Sequence, residues 1–247
     1  MGKQKKKLIP PPWKLYHIFF NPAYSWDAKY VIKPVSAYFS WFFLHTSITA
    51  DMVTMIMTLL FAFSGYFFAI GTQIYLFIGI ACLFVGWILD GSDGEIALYH
   101  KTFSLRGKYL DYVSHGIFPG LFFCLGLGVF SQVSQISFLF FGCSAAFFHL
   151  MHNYTRFTFI VILKNADIKL ENILKKDGSI KKLLRYLSFG NFDFPWTVLM
   201  LLAILFYQVP FFVIFSGIVI PLRWLIHMYL CSEYGSDGAK KVGQSYS

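Results

Sequence analysis

Long uncharged stretches constrain this chain more than any other feature of its sequence. No Asp, Glu, Lys or Arg occurs in residues 52–89, 116–155 or 194–222. A hydrocarbon core requires about 20 apolar residues per spanning helix, and a backbone in lipid must satisfy its own hydrogen bonds. With 57% hydrophobic and 13% charged residues, the chain has too little charge to cover a soluble domain of this size. The sequence therefore predicts an all-α, polytopic membrane protein.

The apolar segments fit six transmembrane helices. We expect them at roughly 50–70, 73–96, 109–130, 136–163, 194–208 and 210–231. Residues 13–45 mix aromatic side chains with lysines and prolines, which favours interfacial amphipathic helices lying on the membrane. The predicted organisation is therefore a basic tail with interfacial helices at 1–45, a six-helix membrane domain at 46–231 and a polar tail at 232–247. Within that tail, residues 234–247 are predicted to be disordered.

The distribution of lysine and arginine predicts the orientation in the membrane. The predicted outer loops, near residues 70–73, 131–135 and 208–210, contain no Lys or Arg. The N-terminal tail, the predicted inner loops and the C-terminal tail are basic, so the positive-inside rule places both termini in the cytoplasm. We interpret the net charge of +9 as a membrane-surface feature, since basic cytoplasmic segments are attracted to anionic lipids. No groove-reading motif supports nucleic acid as a partner.

A third of the acidic residues gather at one predicted membrane boundary. The chain has 12 acidic residues, and four of them are Asp90, Asp93, Glu95 and Asp111. Carboxylates at a bilayer edge are costly unless they are paired, metal-bound or facing water. Asp90 and Asp93 are three residues apart, so they share one helix face.

The next predicted helix presents a second polar face. Gly107, Asp111 and His115 are spaced by four residues and stack on one side of it. The loop 98–108 joins the two helices as a hairpin, so the two faces can meet and form a site for Mg²⁺ or Mn²⁺. Gly94 and Gly107 flank this site and either let a ligand approach the backbone or let two helices pack closely.

At these positions the chain resembles the CDP-alcohol phosphotransferase family. The family signature reads D-x2-D-G-x2-A-R-x8-G-x3-D-x3-D, and six residues fall in register with it: Asp90, Asp93, Gly94, Ala97, Gly107 and Asp111. The segment 49–54 is similar to a second family segment, T-P-D/N-x-V-T. The predicted spans also look like the family's six-helix fold, so the resemblance covers most of residues 45–231.

Two positions depart from the signature. Leu98 replaces the motif arginine, a cation expected near the donor phosphates, and Lys101, Arg106 and Lys108 are the candidates to substitute for it. His115 replaces the last aspartate, which in the family is a metal ligand and the proposed proton acceptor. Neutral imidazole binds metals, and its unperturbed pKa of about 6.5 suits a general base. An inactive family relative acting as a structural subunit is the alternative.

The resemblance implies a membrane enzyme of lipid metabolism that transfers substituted phosphate groups. The donor would be a CDP-linked alcohol, and the acceptor a hydroxyl of a lipid or lipid-linked molecule. CMP would be released at the cytoplasmic face, in phospholipid or lipid-linked glycan synthesis. The implied cofactor is Mg²⁺ or Mn²⁺, bound as two ions. Because His115 replaces an aspartate ligand, the second ion is in question. The resemblance leaves open whether the chain forms a homodimer.

The resemblance also assigns site residues. The implied metal ligands are Asp90, Asp93, Asp111 and His115, with His115 as the catalytic base. The implied nucleotide-binding residues are Asp51, Thr54, Gly94, Ala97, Ser104 and Gly107.

A polar face in the fourth predicted span is the candidate acceptor site. His149, His152, Asn153 and Arg156 recur at spacings of three and four residues. An intramembrane arginine requires an anionic partner, so we assign acceptor binding to His152, Asn153 and Arg156. Hydrogen bonding between helices is the alternative. Intramembrane acids and histidines also line ion paths, so a transporter is the alternative function, although its charges would be expected near the bilayer midplane.

Overall fold

The computed structural model describes residues 9–20, 28–165 and 193–245, with side chains described as far as residue 234. Regular structure within these ranges is helical. A π-helical turn spans Ala28–Ile32. The α-helices are α1 (Pro12–Phe19), α2 (Lys33–Leu44), α3 (Ala50–Ile70), α4 (Gln73–His100), α5 (Leu105–His115), α6 (Phe118–Val133), α7 (Ser137–Asn165), α8 (Asp193–Leu205) and α9 (Val209–Ser245).

Four of the helical segments described are long and apolar enough to cross a membrane. They are Ala50–Ile70, Gln73–His100, Leu105–Val133 (α5 and α6 together) and Val209–Tyr234. The prediction of a helical membrane protein is confirmed at this level. The other two predicted spans are helical as well, but α8 has 13 residues, short of the length that a bilayer core requires. The 29 residues of α7 include the predicted polar face, which lowers its mean hydropathy.

The two ends of the chain compare differently with the predictions. Helices α1 and α2 lie where amphipathic helices are expected, although their position at a membrane interface stays a prediction. The prediction of disorder for residues 234–247 is wrong over most of that segment, because α9 continues as far as Ser245. Extending an existing helix avoids the cost of nucleating a new one, so a polar segment can continue a long apolar helix.

The chain divides into two compact units. The first comprises residues 1–118 and 193–207, and the second comprises residues 119–192 and 208–247. In the first unit, α3 packs against α4 through glycine notches, since the Phe68 ring lies against Gly79 and the Phe61 ring against Gly86. Small residues at such contacts let membrane helices approach closely, which supplies packing energy where lipid provides no hydrophobic drive.

Glycines also lie at the helix–helix contacts of the second unit. The backbones of α6 and α7 meet at Gly126 and Gly142, where a Cβ on either residue would lie within about 3.0 Å of the other helix. Helix α9 meets α7 where Gly217 contacts Phe141, and the Ser144 hydroxyl donates to the Gly217 carbonyl at 3.0 Å. These contacts position the polar face of α7 within this unit.

Candidate metal centre

Three of the four predicted metal ligands come together in the first unit. His115 Nε2 lies 3.0 Å from Asp90 Oδ1 and 3.3 Å from Asp111 Oδ1. One potential ligand atom from each residue lies within 4.8 Å of the other two. The side chains are 26%, 43% and 28% exposed for Asp90, Asp111 and His115, so the group is half-buried and open to a ligand. This is the meeting of two helix faces that the spacing predicts.

The turn between α4 and α5 brings these faces together. Helix α4 ends at His100, and Lys101, whose backbone is left-handed (φ 56°), caps it. Helix α5 begins after Ser104, whose hydroxyl accepts a hydrogen bond from the Gly107 amide at 2.9 Å, a side-chain N-cap. The turn is therefore shorter than the predicted loop 98–108, and it directs the chain straight back along α4.

Packing fixes the orientation of α5. Thr58 Oγ1 and Ser114 Oγ share a hydrogen bond of 2.5 Å, which ties α5 to α3. The Trp87 ring lies 5.7 Å from the His115 ring, and its indole nitrogen donates to Thr197 at 2.9 Å. Because the imidazole rests against a ring that is itself held, His115 faces the two carboxylates.

Asp93 lies outside this group. Its Oδ2 accepts a hydrogen bond of 2.5 Å from Thr54 Oγ1, and it does not belong to the three-residue ligand set. Its predicted role as a metal ligand stays a prediction. The contact does join Asp93 to Thr54, a predicted nucleotide-binding residue, so α3 and α4 meet beside the ligand group.

Three other predicted nucleotide-binding residues, Asp51, Ser104 and Gly107, meet at the start of α5. Asp51 Oδ1 would lie 3.1 Å from a Cβ at Gly107, and Ser104 Oγ would lie 3.2 Å from it, so this glycine permits a close approach. Arg106 Nε lies 3.7 Å from Asp51 Oδ2. Of the three candidate replacements for the motif arginine, Arg106 thus contacts a predicted nucleotide-binding residue.

One face of α4 is left open beside the ligands. Asp90, Asp93, Gly94 and Ala97 recur at three- and four-residue spacing, and a Cβ added at Gly94 would meet no atom within 4 Å. Ala97 is half-buried on the same face. The notch at Gly94 therefore leaves room for a ligand, whereas nothing in the described residues requires a glycine there for packing.

Glu95, grouped with the other acids by sequence, belongs to a different environment. It is 2% exposed and pairs with Lys33 Nζ at 3.0 Å. It also accepts hydrogen bonds from Ser36 at 2.7 Å and Ser40 at 2.5 Å. Sequence reasoning missed this role. The signal was present in the helical period of α4, since Glu95 is two residues from Asp93 and therefore points away from it.

The predicted acceptor-binding residues lie in the second unit, on α7. His152 is 1% exposed, and neither of its ring nitrogens has a hydrogen-bond partner within the described residues. Its ring lies 4.6 Å from that of His227 on α9. Asn153 and Arg156 are half-buried on the same helix. The structure places His152 beside His227, and the role of His152, Asn153 and Arg156 in acceptor binding stays a prediction.

The three-residue group fits a divalent metal ion by the chemistry of its donors. Two carboxylate oxygens and one imidazole nitrogen form a mixed ligand set that Mn²⁺ and related ions accept, and Mg²⁺ is commonly held by one or two carboxylates with waters completing its shell. Two aspartates against one histidine leave excess negative charge in a partly buried site, which a divalent cation would neutralise. Three ligand atoms at this spacing are suited to one ion.

No protein-family model matches this chain, and comparison with curated proteins finds no similar protein.

Proposed function

We propose that this protein is a metal-dependent phosphotransferase of the membrane, which uses a CDP-linked alcohol as donor and a hydroxyl as acceptor and releases CMP. The observation that carries the proposal is the convergence of Asp90, Asp111 and His115 beside the open notch at Gly94. The convergence supports the interpretation of the signature as a metal site, and the notch supports a ligand beside it.

Asp90, Asp111 and His115 would hold the metal ion, and Asp93 would either join them when the donor binds or keep its hydrogen bond to Thr54. A bound divalent ion would supply charge neutralisation for the diphosphate and for the departing CMP. The protein's own part is to keep the ligands oriented through Trp87 and the Thr58–Ser114 hydrogen bond before the substrate arrives.

The two predicted roles of His115 fall on one nitrogen. Nε2 faces both carboxylates, so a metal held by the group would use its lone pair. A nitrogen that binds a metal cannot at the same time accept a proton from the acceptor hydroxyl. We therefore propose His115 as the third ligand, and its role as general base stays the alternative.

The donor is proposed to lie along the open face of α4 and the start of α5. Backbone at Gly94 and Gly107 permits close approach of a flat or phosphorylated group, with Asp51, Thr54 and Ser104 at the edge. Arg106 is proposed to supply the positive charge that the signature places at position 98. Ala97 completes the face.

The membrane arrangement is part of the proposal. Six spans with both termini in the cytoplasm would place the α4–α5 turn, and hence the site, on the cytoplasmic side. Single cysteines at Thr102 and Val133 test this arrangement. An impermeant thiol reagent should label the second and not the first in intact cells, and the reverse pattern would contradict the proposed orientation.

The reaction is tested by incubating purified protein with a panel of CDP-alcohols, acceptor lipids and Mg²⁺ or Mn²⁺, and measuring CMP. We expect metal-dependent release that chelation abolishes and that is lost in the double variant Asp90→Asn/Asp111→Asn. Asp193→Asn, a carboxylate at the start of α8 outside the ligand group, is the matched control and should keep the native rate. Metal binding without CMP release from any donor would instead favour the inactive relative.

A further inference from the structure

A buried polar network fastens α2 to the side of α4 that faces away from the candidate site. We call it the Glu95 anchor, and its members are Lys33, Ser36, Ser40 and Glu95. The Lys33 ammonium donates to Glu95 Oε1 at 3.0 Å, Ser36 donates to the same oxygen at 2.7 Å, and Ser40 donates to Oε2 at 2.5 Å. Both carboxylate oxygens are thus occupied by partners from one helix.

The anchor region also contacts α4 at two residues that lie between Asp90 and Asp93. Lys33 Nζ also donates to the carbonyl of Gly91 at 2.9 Å, and Ser92 Oγ donates to the carbonyl of Ser36 at 3.2 Å. A Cβ at Gly91 would lie 2.9 Å from Ser36 Oγ, so α2 approaches the α4 backbone closely there. Gly91 directly follows Asp90, and Ser92 directly precedes Asp93.

An ion pair buried this deeply is a costly way to join two helices. Removing two charges from water carries a penalty that apolar packing avoids, and such a pair is weak evidence for stability. The anchor instead orients α4, because six hydrogen bonds between α2 and α4, including one from Ser40 to the Ser92 carbonyl at 3.4 Å, fix the rotation of α4 about its own axis. Apolar contacts alone would let the helix turn by small angles.

Small rotations matter at the metal ligands. A carboxylate on α4 lies roughly 5 Å from the helix axis, so a rotation of about 10° displaces it by about 1 Å. Metal–ligand distances tolerate deviations of about 0.2 Å. The orientation of α4 therefore decides whether Asp90 reaches the metal position set by Asp111 and His115.

We propose that Glu95 and Lys33 are positioning residues, which act through α4 to place Asp90 for metal binding. The inference rests on the proposed function only in requiring that the three-residue group binds a divalent ion. It gives helix α2 a role in metal binding, although no residue of α2 belongs to the ligand set.

The experiment titrates Mn²⁺ into purified protein and follows free Mn²⁺ by electron paramagnetic resonance, with thermal unfolding measured in parallel. The variants are Glu95→Gln, Lys33→Met and the double variant Lys33→Met/Glu95→Gln. We expect each single variant to weaken Mn²⁺ binding about tenfold and to lower stability, because it removes one charge of a buried ion pair. We expect the double variant to recover stability but not affinity, since it removes the remaining charge without restoring the contacts that orient α4.

Ser144→Ala is the matched control, because it removes one half-buried hydrogen bond in the second unit. It should lower stability while leaving Mn²⁺ affinity unchanged. Should Lys33→Met fail to fold, Ser40→Ala removes a single hydrogen bond to Glu95 and should weaken Mn²⁺ binding about threefold.

Unchanged Mn²⁺ affinity in all the anchor variants would overturn the inference, and so would a double variant whose affinity recovers together with its stability. A native protein that binds no Mn²⁺ would overturn both the inference and the proposed function. A native protein that binds Mn²⁺ in the predicted pattern without releasing CMP would overturn the proposed function alone.

Discussion

The last turns of α4 carry acidic side chains with opposite surroundings on two faces of one helix. On one face Glu95 is 2% exposed and has a lysine and two serines as partners. On the other, Asp90 is 26% exposed and shares one imidazole with Asp111. The first face is neutralised by the protein itself, while the second keeps excess negative charge. The comparison teaches that only the face with Asp90 still needs an outside positive charge, which is why the metal site is proposed there and not at Glu95.

The largest effect on activity is expected from removing a carboxylate of the ligand group. Asp90→Ala and Asp111→Ala should each reduce CMP release by roughly 10³-fold or more, because the ion that offsets the phosphate charge would lose a ligand. Thermal unfolding should change little, since both side chains are partly exposed. Single-turnover assays at saturating donor measure the effect. Single variants that both keep more than about a tenth of the native rate would contradict the metal site.

A loss of about 10²- to 10⁴-fold in turnover is expected for His115→Ala. Mn²⁺ affinity then separates the two roles of the histidine. If His115 is a ligand, affinity falls together with the rate, and if it is the base, the rate falls alone. His115→Asp restores a carboxylate ligand and should recover activity with a tighter dependence on Mg²⁺. Native turnover in His115→Ala would show that this side chain only packs between helices.

Two glycines three residues apart sharpen the contrast between the faces. Gly91→Ala places a Cβ 2.9 Å from Ser36 and should cost about 1–3 kcal/mol of unfolding free energy. Gly94→Ala meets no atom within 4 Å and should leave stability unchanged or raise it by up to about 1 kcal/mol, since alanine favours helix. The same Gly94→Ala should raise the KM for the CDP-alcohol. Equal effects on stability and on KM in both variants would remove the distinction between the faces.

The smallest effect is expected at Arg106. Its side chain is 76% exposed, and exposed ion pairs contribute little. Arg106→Gln should raise the donor KM about threefold without changing turnover, because it removes a positive charge beside Asp51. Lys164→Gln, at an exposed lysine of α7 outside the three candidate replacements, is the matched control. An equal rise in both variants would assign the effect to general surface charge.

The sequence predicts contacts between residues close together along the chain well, and contacts between distant residues poorly. Helical spacing predicts that Asp111 and His115 share a face, and a single turn brings them to Asp90. Partners far apart along the chain, such as Thr54 with Asp93 or Lys33 with Glu95, depend on how whole helices pack. No periodicity carries that information.

Fold-level predictions fail for a related reason. Hydropathy predicts where α7 and α8 lie, but it does not predict that the chain divides into two compact units. Within the second unit, helices pack through contacts such as that of Gly126 with Gly142, which hydropathy does not predict. Likewise, the composition of residues 234–247 is typical of a disordered tail, while the helix that precedes them extends through most of the segment.

The short turn between α4 and α5 has a consequence for how the protein is made. Asp90 and His115 are separated by 25 positions, whereas Lys33 and Glu95 are separated by 62. A ribosome nevertheless releases both anchor partners before Asp111 emerges. Helix α2 can therefore be fastened to α4 before α5 has emerged from the ribosome, and the second half of the ligand group would fold back onto a helix whose rotation is already set. Closing a short loop of this kind costs little entropy and is fast, so the ligand group can assemble during translation, before the second unit is complete.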